Sequence, residues 1–107
     1  MTTDAPRSYL SANARTTDIL GAALRVAERD GFASLRRDAI ATEAGVTGGL
    51  VTIRLGTMEQ VKRSVMRQAI KIRSLRIVAE GLAAKDRHAL KASPELRAEA
   101  AAWLAAR

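Results

Sequence analysis

The residues best suited to chemistry lie close together between Thr47 and Arg54. Arg54 carries a planar guanidinium able to donate two parallel hydrogen bonds to the O6 and N7 edge of a guanine. Thr47 and Thr52 each offer a hydroxyl suited to a phosphate oxygen or a base edge. Gly48 and Gly49 put no side chain at the start of a helix, so backbone amides and the positive end of the helix dipole can approach an anion closely. Further along, Lys62, Arg63, Arg67, Lys71, Arg73 and Arg76 follow one another with no Asp or Glu between Val61 and Ala79. All of these groups suit anions. None suits catalysis, which needs several converging groups. His88 is the single histidine, cysteine is absent, and the carboxylates are scattered among arginines. A non-enzyme without metal or cofactor is expected, with His88 on a polar surface turn.

The composition agrees with a partner that is a polyanion. Eighteen Lys and Arg stand against 11 Asp and Glu, for a net charge of +7, enough to attract nucleic acid over several ångströms. The excess sits in the second half: residues 1–57 hold seven basic and six acidic residues, whereas residues 58–107 hold eleven and five. At 107 residues the chain is of single-domain size. Hydrophobic residues make up 48% but aromatics only 3%, so the core is built from Ala, Leu, Val and Ile, a composition that favours helix. The absence of cysteine excludes disulfides and thiolate metal sites. No secretory leader and no run of apolar residues long enough to span a bilayer stand out, so a cytoplasmic protein is expected.

Five helices are expected to position these groups in an all-α fold. Residues 1–15 lack periodicity and are read as a flexible arm carrying Arg7 and Arg15. From Thr17, with Thr16 or Thr17 as N-cap, apolar residues at spacings of three and four (Ile19, Ala23, Val26, Ala27) define a helix that stops at Gly31. A second helix runs from Arg36 to Ala44 and ends at Gly45; a third runs from Gly48 to Leu55 behind Thr47 as N-cap. Ala41 is small where those two cross, Gly45 allows the positive φ of a tight turn, and Val46, Leu50 and Val51 fill the space between, as a helix-turn-helix requires. Thr57 with Glu59 and Gln60 caps a long fourth helix reaching Gly81. Along it Val61, Val65, Ala69, Ile72, Ala79 and Leu82 form one apolar stripe and Met66, Ile70 and Ile77 another, which implies two packing partners. Ser93 and Pro94 start a last helix, residues 95–105, with Leu96, Ala100, Trp103 and Leu104 facing inward.

From Thr17 to Val61 the order Ile19-Leu20-Gly21-Ala22-Ala23-Leu24, Gly31-Phe32, Ile40-Ala41, Ala44-Gly45-Val46-Thr47, Gly49 and Leu55-Gly56-Thr57 resembles the DNA-binding domain of TetR-type transcriptional repressors. The likeness covers somewhat under half of the chain. It implies a dimer that lays the third helix in the major groove and holds phosphates with the starts of the second and fourth. By position it assigns Arg36 and Arg37 to the start of helix two, Thr47 to the cap, Gly48, Leu50, Thr52, Ile53 and Arg54 to the recognition helix, and Met58 to the start of helix four. The family often carries Lys where Gly48 and Met58 stand, Tyr where Thr52 and Arg54 stand, and Phe at Leu55, so the resemblance implies that three potential phosphate contacts are missing here.

On this reading only the first turns of helix four reach the duplex, through Lys62 and Arg63; the later cations solvate a face of the helix. The site residues are then Arg36, Arg37, Thr47, Gly48, Gly49, Thr52, Ile53, Arg54, Lys62 and Arg63. Residues 16–57 form the DNA-binding domain and residues 58–107 a dimerisation region that uses Met66, Ile70, Ile77, Leu96, Trp103 and Leu104. The expected function is sequence-specific binding of double-stranded DNA by a homodimeric transcriptional regulator, a repressor or autorepressor. Nonspecific DNA packaging, or protein binding through a retained helix-turn-helix, are the alternatives. A small-molecule inducer is not expected, because one long and one short helix cannot wall a concave pocket.

Overall fold

Capping residues set most of the element boundaries. In the computed structural model, which describes residues 12–107, α1 spans Ala12–Asp30, α2 Arg37–Ala44, α3 Gly48–Leu55, α4 Met58–Ile72, α5 Leu75–Ala83 and α6 Pro94–Ala105. A single 3₁₀ turn, Ala89–Lys91, lies between α5 and α6, and the described residues contain no strand. Thr47 accepts a hydrogen bond from the Leu50 amide at 3.1 Å, and Ser93 from the Leu96 amide at 3.1 Å, with Pro94 in the first turn. Thr57 and Gln60 form a reciprocal capping box: Gln60 N donates to Thr57 Oγ1 at 3.2 Å and Thr57 N to Gln60 Oε1 at 2.9 Å. Gly45 closes α2 in the left-handed region at φ 70° and ψ 35°, and its amide and that of Val46 cap the last carbonyls of the helix.

Beyond shifts of one or two residues at helix ends, two features differ from those expected. α1 begins at Ala12, so residues 12–15 are helical and neither Thr16 nor Thr17 is its N-cap. The apolar stripe starts only at Ile19, and the turns before it are polar and largely exposed, so periodicity could not see them. The rest of the expected arm, including Arg7, lies outside the described residues.

The long fourth helix is in fact two. Arg73 adopts the left-handed conformation, φ 59° and ψ 46°, and the amides of Arg73 and Ser74 bond back to the last turn of α4. No Gly or Pro marks this break. Long-range partners hold it: Arg73 Nη2 pairs with Glu99 of α6 at 2.7 Å, and the Ser74 hydroxyl bonds Glu28 of α1. The reversal turns Ile77, Val78 and Ala79 of α5 into the core.

The core is one continuous cluster drawing on every helix, with Ile19, Val26, Ile40, Val51, Val61, Val65, Met66, Ile77, Val78 and Leu96 its largest fully buried side chains. The division at residue 57 therefore does not separate two cores. α4 packs on α1, α3, α5 and the 3₁₀ turn, so its two stripes find their partners within one chain. Met66, Ile77 and Leu96, expected at a dimer face, are buried inside this chain. Ile70 and Trp103 are half-buried, Leu104 is exposed, and Ile72 is exposed rather than part of a buried stripe. The Phe32 amide donates to Glu80 Oε1 at 2.8 Å and fastens the α1–α2 loop to α5. No helix among the described residues is long and apolar enough to cross a membrane.

Candidate nucleic-acid interface

The α2–turn–α3 unit packs on α1. Ile40 and Ala41 of α2 and Val51 and Leu55 of α3 are buried against the core. A salt-bridge network locks α2 to α1 from outside: Glu43 accepts from Arg25 Nε and Arg29 Nη1, both at 2.9 Å. Hydrogen bonds from Arg25 and then Arg29 hold the Glu43 carboxyl below its ordinary value, while Asp30, bonded to Arg29, is lowered for the same reason. The Arg29 guanidinium is raised in return, first by Asp30 and then by Glu43.

At about 100° per residue, the buried side of α3 is centred on Val51 and Leu55, leaving Gly49, Thr52 and Ile53 outward. Ile53 is 73% exposed, the most exposed large apolar side chain described. Thr52 is exposed too, and its hydroxyl donates to the Gly48 carbonyl at 3.3 Å, leaving oxygen lone pairs outward. Arg54 stands on the flank between this face and the core. It is half-buried, and its Nε is shielded and unpartnered. The centre of the outward face is thus apolar and neutral, with cations at its edges.

Of the other expected site residues, Arg37 and Gly48 are brought together. A Cβ on Gly48 would touch Arg37 Cδ at 3.7 Å, so the arginine stem lies across the start of α3. Arg36 is the exposed, extended N-cap residue of α2. Thr47 is the α3 cap, and Gly49 is exposed beside it. Lys62 does not reach freely outward: its ammonium lies 5.9 Å from the Phe32 ring centroid, in cation–π range. Arg63 is exposed on the next position of α4 but faces a groove shared with the 3₁₀ turn. That groove also takes Arg67, His88 and Lys91. Helical spacing of four puts Arg63 and Arg67 on one face of α4, but nothing local could join them to His88 and Lys91.

No known protein family, curated protein or solved structure matches this chain.

Proposed function

We propose that this protein binds double-stranded DNA by laying the outward face of α3 in the major groove, acting as a sequence-specific transcriptional regulator of TetR-like layout. The observation that carries the proposal is the uncovered face of α3, where Gly49, Thr52 and the 73%-exposed Ile53 point away from an otherwise well-packed helix. A major groove admits an α-helix and offers the thymine methyl as an apolar contact for a side chain such as Ile53. Arg54 at the flank is within the same element for a guanine edge, and Thr52 for a base or phosphate oxygen. Arg36 and Arg37 at the start of α2 supply phosphate contacts, as does Lys62 on swinging away from Phe32. Homodimeric binding belongs to the same proposal; of the six side chains expected at that interface, only Ile70, Trp103 and Leu104 keep exposed surface for it.

Selection of duplexes from a random pool, followed by salt-dependent gel shifts on the selected and a scrambled sequence, tests this. A preference for the selected duplex that disappears in Arg54→Ala and weakens in Ile53→Ala is the expected result. Equal affinity for both duplexes makes the protein a nonspecific DNA binder, a reading favoured by the unpaired cations of α4. No binding to either at low salt overturns both.

A further inference from the structure

The groove between α4 and the 3₁₀ turn collects charge that the α3 interface does not use. It is lined by Arg63, Arg67 and Ile70 from α4 and by His88 and Lys91 from the segment that crosses it, with no carboxylate in the lining. Arg63, Arg67 and Ile70 fall at successive turns of one helix face, so both guanidiniums project to the same side. Its volume, about 370 Å³, lies in the range of small-molecule sites.

These cations stand in contrast to their neighbours. Arg25, Arg29, Arg73 and Arg76 each hold a carboxylate, whereas among the described residues none forms an ion pair with Arg63, Arg67 or Lys91. Asp86, two residues before His88, is directed elsewhere: its Oδ2 accepts from the amides of His88 and Ala89 at 3.0 and 2.9 Å, capping the 3₁₀ turn. Like charges gathered without a counter-charge cost stability, and the fold keeps them together from two separate elements.

We propose that this groove binds a compact, multiply charged phosphate anion of the oligophosphate class. Arg63 and Arg67 grip it from α4, Lys91 and His88 close on it from the opposite wall, and Ile70 forms an apolar floor. The concave shape and cations on two facing walls suit a small ion enclosed between them, whereas a DNA backbone asks for a ridge or a strip. The groove is open to solvent, unlike the enclosed inducer cavity that the sequence led us not to expect, and the proposal does not depend on DNA binding.

Calorimetric titration of the whole chain with inorganic tripolyphosphate at low ionic strength tests it. Binding at one site per chain is expected, weakened about tenfold in each of Arg67→Gln and Lys91→Gln, as befits loss of one charge-assisted hydrogen bond. Lys85→Gln, an exposed cation outside the groove, changes it less than twofold. All three positions are exposed, and far-UV circular dichroism verifies that the fold is kept. Absence of saturable binding, or equal weakening by Lys85→Gln, overturns the proposal. So does a result in which Arg67→Gln and Lys91→Gln weaken duplex DNA but not tripolyphosphate, which assigns the groove to nucleic acid. Failure here leaves the gel-shift outcome at α3 untouched, so the two readings are tested separately.

Discussion

Replacing Gly56 with alanine disturbs two things at one joint, and the structure separates them. Gly56 links α3 to α4 at φ 89° and ψ −150°, a region that residues with a Cβ rarely enter, at a cost of about 1–3 kcal/mol. A Cβ built there falls 2.0 Å from Gln60 Oε1 and 2.9 Å from Gln60 Cδ. Gln60 must therefore swing away, which breaks its hydrogen bond from the Thr57 amide and one half of the capping box. Loss of a cap costs about 1 kcal/mol. Alanine also loses less chain entropy on folding than glycine, which returns about 0.4–1 kcal/mol. The net expectation is a destabilisation of about 1–3.5 kcal/mol, measured by urea unfolding followed by far-UV circular dichroism. Gln60→Ala alone costs about 1 kcal/mol, since it removes the same hydrogen bond without the backbone strain. The double variant is then less destabilised than the two singles together by about 1 kcal/mol, because the cap is lost only once. Strict additivity, or a Gly56→Ala protein within about 0.5 kcal/mol of the parent, refutes the reasoning, since Gln60 would then not be folded back over the glycine.

Three further outcomes are expected. Arg73→Gly and Arg73→Val both lose the exposed pair with Glu99, so the difference between them isolates the left-handed backbone at φ 59°; the valine protein should be less stable by about 1–2 kcal/mol in urea, and equal stability removes the helix break as an explanation. Glu43 has a depressed carboxyl, so its stabilisation is complete above its ordinary value of 4.5 and is lost as pH falls through the lower folded value. Unfolding midpoints of the parent and Glu43→Gln should accordingly converge as pH drops below that value, and a gap that does not change with pH contradicts the role given to Arg25 and Arg29. Lys62→Ala should weaken binding to all duplexes alike and lower the slope of log affinity against log salt by about one; a change in sequence preference would move Lys62 from phosphate to base contact.

Much of the fold was legible because its signals are local. Gly45, Thr47, the Thr57–Gln60 box and the Ser93–Pro94 pair each act within about four residues, through a permitted backbone conformation or a side chain that caps the nearest amides. They mark the end of α2 and the starts of α3, α4 and α6, and with them the beginning of the stretch from Gly48 to Leu55 that carries the proposed interface. The +7 charge and its concentration after residue 57 were equally open to inspection.

Long-range contacts decided the rest. The bend at Arg73 coincides with contacts to Glu99 and, through Ser74, to Glu28, which lie 26 and 46 residues from their partners. That bend sends Ile77 into the core, while Met66 and Leu96 are buried there by packing no single stripe reveals, so side chains that periodicity alone offered to a second copy are used within one chain. Packing also ranked the cations: it paired Arg73 and Arg76, laid Lys62 on Phe32, set Arg54 at the flank of α3, and brought Lys91 into one groove with Arg63 and Arg67. A sequence states which residues carry charge and where helices start; only the folded chain determines which charges meet a partner, because desolvation and pairing depend on neighbours that come from other helices.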